Sequence, residues 1–367
     1  MTIEDLALLF TRGIGSRGAA HLVDYFGSAE QLFAASRAEL VDGAGLRSEL
    51  AERIIAEEGM AQAEREVAYC RRHNICTLAA TDDCYPELLR DTADRPHVLF
   101  VRGNVEALSR ESLSVVGTRN MSPSGQHTTT VIIEELAQMV DNLSIVSGLA
   151  YGIDGAAHRA ALASGATTVA VVANALPDVT PAAHRALAED ILRSGGAIVS
   201  EMHSASPQNG QQFIARNRII AGLSRGTLVV ESPVHGGALA TADIADSYHR
   251  AVMALPGRIT DATSFGTNNL IRMGKARLVL TASDIIEDMG WQRRQEPVEV
   301  EMHGPDLEVL SDAERRAYDA FASERVVEWS RLLELTGMSM GELSMAVMEL
   351  EMRGYIRCLP GKKYEAI

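Results

Sequence analysis

Between residues 112 and 290, short apolar runs alternate with longer stretches of helical periodicity. Leu113–Val116, Leu143–Val146, Thr167–Ala173, Ala197–Ser200, Thr227–Glu231 and Ala251–Leu255 each read as a strand. They are apolar and β-branched without polar alternation, the pattern of strands buried on both faces. The stretches between them carry the helical period. One runs through Thr130–Val140, with Ser122 or Ser124 as its cap, and one holds Asp154 and His158. Pro181–Arg193, Phe213–Leu223 and Ala238–Tyr248 follow. Repeated strand–helix units of this length predict a parallel sheet with helices on both faces.

The flanks have a different texture. Residues 1–73 read as all-helical, with a Gly-x-Gly turn at Arg12–Gly18 ahead of an apolar helix, as in a helix-hairpin-helix unit. Asp42-Gly-Ala-Gly-Leu46 repeats the turn before a longer helix predicted to reach His73. Such hairpins can offer backbone N–H groups to DNA phosphates, or can simply pack as a cap. From Ile75 to Gly103 the chain reads as a connector with a turn, a short helix and a strand, ending where the main sheet begins. Charge, Pro297, Gly304 and Pro305 mark 291–306 as a linker. Beyond it, helices are predicted at Ser311–Phe321, Glu328–Leu335 and Met340–Arg353, then a hairpin over residues 355–367. Three helices and a hairpin suit a winged helix, yet the third helix carries Glu342, Glu349 and Glu351 against Arg353, a face that repels phosphate.

Bulk composition narrows the classes. Hydrophobic residues make up 46% and charged ones 23%, an ordinary globular balance, and 5% aromatics leave the core to small aliphatic side chains. A net charge of −15 argues against a general polyanion binder, so any nucleic-acid site must be local. No apolar run approaches the ~18 residues of a membrane span, and Glu4 and Asp5 stand where a signal would be basic. The four cysteines have no Cys-x-x-Cys spacing. They predict reduced thiols in a cytoplasmic protein, with neither disulfides nor zinc.

Candidate chemistry gathers at the predicted carboxyl ends of the strands, where open α/β sheets bind ligands. Gly117-Thr118-Arg119 joins a tight turn to a helix amino terminus and a cation, a combination suited to phosphate. Ser147-Gly148 and Ser232–Gly237 are neighbouring small-residue loops. Phe213 is placed either to stack on a base or to fill the core. Arg216 and Arg218 diverge on a helix, so one is free for phosphate and the other for an ion pair, while Asn217 can satisfy backbone groups. Asp154 and His158, at i and i+4, suit a helix-stabilising pair or an oriented base. Neither a P-loop nor Gly-x-Gly-x-x-Gly is present, and no nucleophile or metal cluster accompanies them. No catalytic residue, cofactor or metal is therefore expected.

The chain resembles the bacterial DNA processing protein (DprA, or Smf) family. The resemblance rests on Tyr85-Pro86, Val115-Val-Gly-Thr-Arg119, Val146–His158, Ile198-Val-Ser-Glu201, Arg216–Ser224, Ala240-Thr-Ala242, Leu255-Pro-Gly257 and Gly266–Ile271, in that order. It implies an α/β fold: an extended Rossmann-like domain over 74–290, a helix-hairpin-helix (SAM-like) domain over 1–73 and a winged-helix domain over 307–367. It also implies single-stranded DNA as ligand, a homodimer through the Rossmann-like domain, and help in loading RecA during natural transformation. The expected strand-binding residues are Gly117, Thr118, Arg119, Ser147, Gly148, Phe213, Arg216, Asn217 and Arg218. Where the family has Tyr-Pro and a basic residue after its third main strand, this chain has Asn174–Pro181, which leaves Arg185 as the nearest cation. An enzyme alternative is a nucleotide phosphoribohydrolase, whose Pro-Gly-Gly-x-Gly-Thr-x-x-Glu motif His235–Thr241 matches only partly.

Overall fold

The computed structural model describes residues 1–207, 210–294, 310–322, 324 and 326–366. It divides into two compact units, Met1–Arg294 and Gln295–Ile367.

A nine-stranded sheet organises the first unit. Its strands are β1 (Cys76–Ala79), β2 (Val98–Gly103), β3 (Glu111–Val116), β4 (Leu143–Ser147), β5 (Thr167–Val171), β6 (Ala197–Ser200), β7 (Gly226–Val229), β8 (Ala251–Ala254) and β9 (Arg277–Leu278). They lie in the order β1-β2-β6-β5-β4-β3-β7-β8-β9. The seven strands from β6 to β9 are parallel neighbours. Successive strands run outward from β3 in one direction through β6, and then in the other from β7 to β9. The reversal falls between β3 and β7, so their two carboxyl-end loops diverge and open a crevice.

The segment expected as a connector is part of the sheet. β2 pairs antiparallel with β6, Val101 opposite Val199, and β1 pairs antiparallel with β2. Only Leu78 and Ala79 of β1 are buried, so its four residues lack the apolar run that would have revealed a strand.

Helices cover both faces, as buried parallel strands require. Alternation along β3 divides its side chains. Val116 joins Val146, Val171 and Val229 beneath α10 (Gln211–Gly222) and α11 (Gly237–Ser247), where Ile219, Ile220 and Ala242 pack. Leu113 and Val115 join Ile145 and Leu228 on the other face. There they meet Ile132, Ile133 and Leu136 of α7 (Pro123–Met139) and Ala157 and Ala160 of α8 (Ile153–Ala163).

The amino-terminal helices are α1 (Ile3–Phe10), α2 (Ser16–Phe26), α3 (Ala29–Ala34), α4 (Ser48–Ile55) and α5 (Met60–Arg72). Leu6, Ala7, Ala63 and Cys70 pack with Phe100, Ala170 and Ile198 of the sheet, so these helices share its core. The longer helix predicted to reach His73 is instead α4 and α5, interrupted at residues 56–59. Glu57 takes φ +53°, and a side chain at Gly59 would strike the Ala7 carbonyl. Close packing of α5 on α1 therefore decides the break.

The remaining helices of this unit are α6 (Glu87–Arg90), α9 (Arg185–Arg193), α12 (Phe265–Arg272) and α13 (Ala282–Met289). Trp291 closes it, its indole donating to Glu111 at 2.7 Å, and Arg294 pairs with Asp141 at 2.7 Å. The first residues of the expected linker thus belong to the folded unit, while 295–306 lie outside the described residues. In the second unit α14 (Asp312–Asp319), β10 (Val326–Glu328), α15 (Trp329–Thr336), α16 (Met340–Met352), β11 (Ile356–Leu359) and β12 (Lys363–Ala366) follow in order. The hairpin carries β10 as a third strand, in the order β10-β12-β11. This is the winged-helix arrangement the helical pattern predicted, with one short strand added.

Candidate functional site

The crevice is built from loops the sheet leaves at its carboxyl edge. Gly117-Thr118-Arg119 leaves β3, and residues 232–236 leave β7. The first loop is pinned: the Thr118 N–H donates to the Glu231 carbonyl at 2.8 Å and the Thr118 carbonyl accepts from Ile153 N–H at 3.2 Å. Gly152, at φ +75°, caps α8, and a Cβ there would strike the carbonyls of Thr118 and Arg119. Only glycine lets α8 approach the loop so closely.

The amino terminus of α7 is already occupied. Ser122 caps it, accepting from Gly125 N–H at 2.9 Å. The Glu231 carboxylate accepts from Ser122 N–H at 2.9 Å and from its hydroxyl at 2.5 Å. The expectation that this terminus offers free N–H groups to a phosphate is therefore corrected. A buried carboxylate of the same chain takes the place an anion would take.

Beside it lies a cleft of about 220 Å³, lined by Gly117, Thr118, Arg119, Asp154, Phe213, Arg216, Asn217 and the start of α11. Arg119 is exposed, and its guanidinium stands 5.7 Å from the centre of the Phe213 ring, within cation–π range. Among the described residues it forms no ion pair. Phe213, in the first turn of α10, is half-buried, so its ring is neither core nor fully free. α11 begins at Gly237 with no side chain capping it, which leaves first-turn N–H groups at the cleft.

Arg216 lies at the bottom of the cleft, 5% exposed. It donates to the Gly148 carbonyl at 2.7 Å and to the Val171 carbonyl. Burial, with Arg119 adding repulsion, pushes its guanidinium down to about 10, against the attraction of Asp154, so it stays charged at neutral pH. Burial likewise raises Asp154, opposed by Arg216 and by the backbone of Ala150 and Gly148. Asp154 Oδ2 and both terminal nitrogens of Arg216 would lie within 2.7 Å of a Cβ on Gly148, so no side chain fits there.

The structure thus sorts the expected residues. Gly117, Thr118, Arg119, Phe213, Arg216 and Asn217 meet in one cleft. Ser147 and Gly148 support it from beneath, the Ser147 hydroxyl donating to the Val115 carbonyl at 2.6 Å. Arg218 turns away to Glu201 at 2.5 Å, and both side chains are nearly buried. Arg185, the first residue of α9, is exposed and lines no part of this cleft.

The expected Asp154–His158 pair is not formed. His158 is fully buried against β5, with Nδ1 2.7 Å from the Thr168 hydroxyl, while Asp154 accepts from Ala150 N–H at 3.4 Å. Burial, reinforced by His184, Arg159 and Arg216, pushes His158 down to about 3, which leaves it neutral. Packing of α8 on the sheet gives His158 the Thr168 hydroxyl, while Asp154 turns back to the loop before its own helix. Among the described residues, no group of three or more His, Cys, Asp or Glu side chains could hold a metal, and no helix is long and apolar enough to cross a membrane.

Sequence reasoning missed the role of Glu231. Its partner Ser122 lies 109 positions away, and only the adjacency of β3 and β7 joins them. A carboxylate closing a strand beside the glycine loop was the available signal.

Residues 76–290 match the family model described as DNA recombination-mediator protein A, and residues 303–362 match the DprA winged helix domain. Protein Smf of Escherichia coli is 36% identical over 300 residues, covering 81% of this chain and 79% of that protein. DNA processing protein DprA of Streptococcus pneumoniae is 40% identical over 212 residues, 58% of this chain and 73% of that one. A crystal structure of S. pneumoniae DprA superposes with TM-score 0.68 at 31% identity, covering 78% of this chain and 98% of the other. A structure of DNA processing protein A from Helicobacter pylori, described for its single-stranded DNA binding mode, matches with TM-score 0.52 at 26% identity. It covers 58% of this chain and 94% of its own.

Proposed function

The chain belongs to the DNA recombination-mediator protein A family, and from that premise we propose that it binds single-stranded DNA in the cleft between β3 and β7. One observation carries the reading. An exposed Arg119, in no ion pair among the described residues, stands over the half-buried Phe213 ring at the uncapped start of α11. A phosphate oxygen is served by the guanidinium and the helix N–H groups, and a base by the aromatic face. Duplex DNA offers no unstacked base to such a cleft. Arg216 supplies buried positive charge from below, and Arg218 holds Glu201 in place.

In this reading the protein is a binder rather than an enzyme, works in the cytoplasm, and helps load RecA onto the strand it holds. The phosphoribohydrolase alternative is disfavoured by its own motif, which His235–Thr241 matches with an extra residue and without the glutamate that should follow. Homodimerisation through the first unit is supported by β9 and the residues after it. Leu278 and Leu280, 49% and 62% exposed, alternate with buried Val279 at the outer edge of the sheet.

Filter binding of matched single-stranded and duplex oligonucleotides across a salt series tests the function. Preference for the single strand is expected, with about −0.7 in log–log salt slope for each phosphate contact and few contacts in all. Preference for duplex would refute it.

A further inference from the structure

α16 of the second unit is apolar on two opposite faces. Leu343, Ala346, Val347 and Leu350 are buried in that unit's core. At roughly 100° per residue, Met345, Met348 and Met352 gather on the far side, 60%, 51% and 74% exposed. The outer face of a surface helix is ordinarily polar, and one that is apolar all round is normally covered. A contiguous patch of this kind marks an interaction site more often than chance exposure.

Carboxylates edge the stripe. The same angular count puts Glu342 and Glu349 along one side and Glu351 along the other, and the helix contains no Lys or Arg before its C-cap Arg353, which pairs with Glu314 at 3.7 Å. Glu342 accepts from Ser339 in the capping box but remains exposed. This is the helix a DNA-reading winged helix would lay in the major groove, yet its chemistry is thioether and carboxylate, which phosphate does not select. Methionine is unbranched and polarizable, and adapts to apolar side chains of varied shape. Acidic borders select a partner with cationic edges.

We propose that this face of α16 is a docking surface for an amphipathic helix of a partner protein, one with an apolar stripe bordered by Lys or Arg. Such a helix laid along the stripe covers the methionines and sets its cations against both acidic borders, the helix-in-groove mode of recognition. A second copy of α16 fits poorly, because it would set three carboxylates against three. The surface belongs to the second unit and the DNA cleft to the first.

The test is fluorescence anisotropy of the full chain with a labelled Leu/Lys peptide of ~18 residues, long enough to span the helix when bound. A scrambled peptide of the same composition serves as control. The amphipathic peptide is expected to bind about tenfold or more tightly than the scrambled one. That preference should vanish in Met345→Gln/Met348→Gln/Met352→Gln, whose circular dichroism should be unchanged because the replaced side chains face solvent. Glu349→Gln/Glu351→Gln should weaken binding several-fold and flatten its salt dependence. Equal binding of both peptides, or an unaffected triple variant, would overturn the proposal. So would a fall in sedimentation mass of the triple variant, which would make a second copy the occupant. Resistance of these methionines to mild peroxide in the full chain would do the same, because the first unit would then cover them.

Discussion

Arg216→Met should destabilise the first unit more than its loss of one charge suggests, and Asp154→Asn should undo part of the damage. Asp154 Oδ2 and the terminal nitrogens of Arg216 lie 2.6–2.7 Å from the point a Gly148 Cβ would occupy. The charges are therefore roughly 5 Å apart or less, and at an effective dielectric of about 20 they attract by on the order of 3 kcal/mol. Methionine also leaves the carbonyls of Gly148 and Val171 without the donor they now share. Removing one member of a buried pair of opposite charges typically costs about 3–5 kcal/mol, because the other remains unpaired. The assay is urea unfolding of wild type, both single variants and the double variant. The double variant should lose less than the sum of the singles, with a coupling of about 1 kcal/mol or more. The penalty should also depend on pH. Burial already raises Asp154, and loss of Arg216 raises it further. A carboxyl raised in the folded state contributes stability below its unfolded value, and loses it as pH rises through the folded one. Arg216→Met should therefore come closer to wild type near pH 4 than at pH 7. Additive penalties with no pH dependence would refute the buried pair as a coupled unit.

Phe213→Ala should weaken single-strand binding by about 1–3 kcal/mol, the usual worth of a base–aromatic stack, with the melting temperature little changed; an unaltered affinity would return Phe213 to a packing role. His158, held down to about 3 by burial, should make the protein acid-sensitive. Its contribution is complete above the unfolded value near 6.5 and is lost as pH falls toward the folded one, by about 1.4 kcal/mol per pH unit. Urea midpoints at pH 7.5 and 5.5 should therefore fall further in wild type than in His158→Gln, and equal losses would contradict this. Truncation to residues 1–294 should leave single-strand affinity largely intact, because α16 is acidic and Arg357 and Lys363 of the hairpin are paired with Glu365 and Glu328. A tenfold loss by anisotropy, with dimerisation unchanged, would place DNA on the second unit.

Much of the fold was legible because buried parallel strands need uninterrupted apolar runs. Leu143–Val146 and Ala197–Ser200 announce themselves, and Ser122 before Pro123 marks the start of α7 as it stands in the structure. β1 and β9 escaped notice: Cys76, Arg277 and Leu278 are exposed, and edge strands bury too little to impose a pattern. The gap between α4 and α5 was also silent, since Glu57 adopts its φ of +53° under tertiary packing. At the site, Arg119 was readable from its glycine loop, and the family resemblance pointed to the Arg216–Arg218 segment. The fates of those two arginines were not readable. Helix positions two residues apart send one under the cleft to Gly148 and the other to Glu201, and only the packing of α10 on the sheet decides which. Glu231 stood at the end of an expected strand, but its pairing with Ser122 was not readable, because the contact is made by strand order rather than by local sequence.

The cleft itself is tested most directly by the affinity of Arg119→Ala for a labelled single-stranded oligonucleotide at matched low salt, with thermal unfolding recorded on the same samples. Arg119 is exposed on a loop and supports no core, so the melting temperature should not move. Loss of a charge-assisted phosphate contact, on the order of 1.5–3 kcal/mol, should weaken binding by roughly tenfold or more. Unchanged affinity in a variant that melts like the wild type would contradict the assignment of this cleft as the strand-binding site.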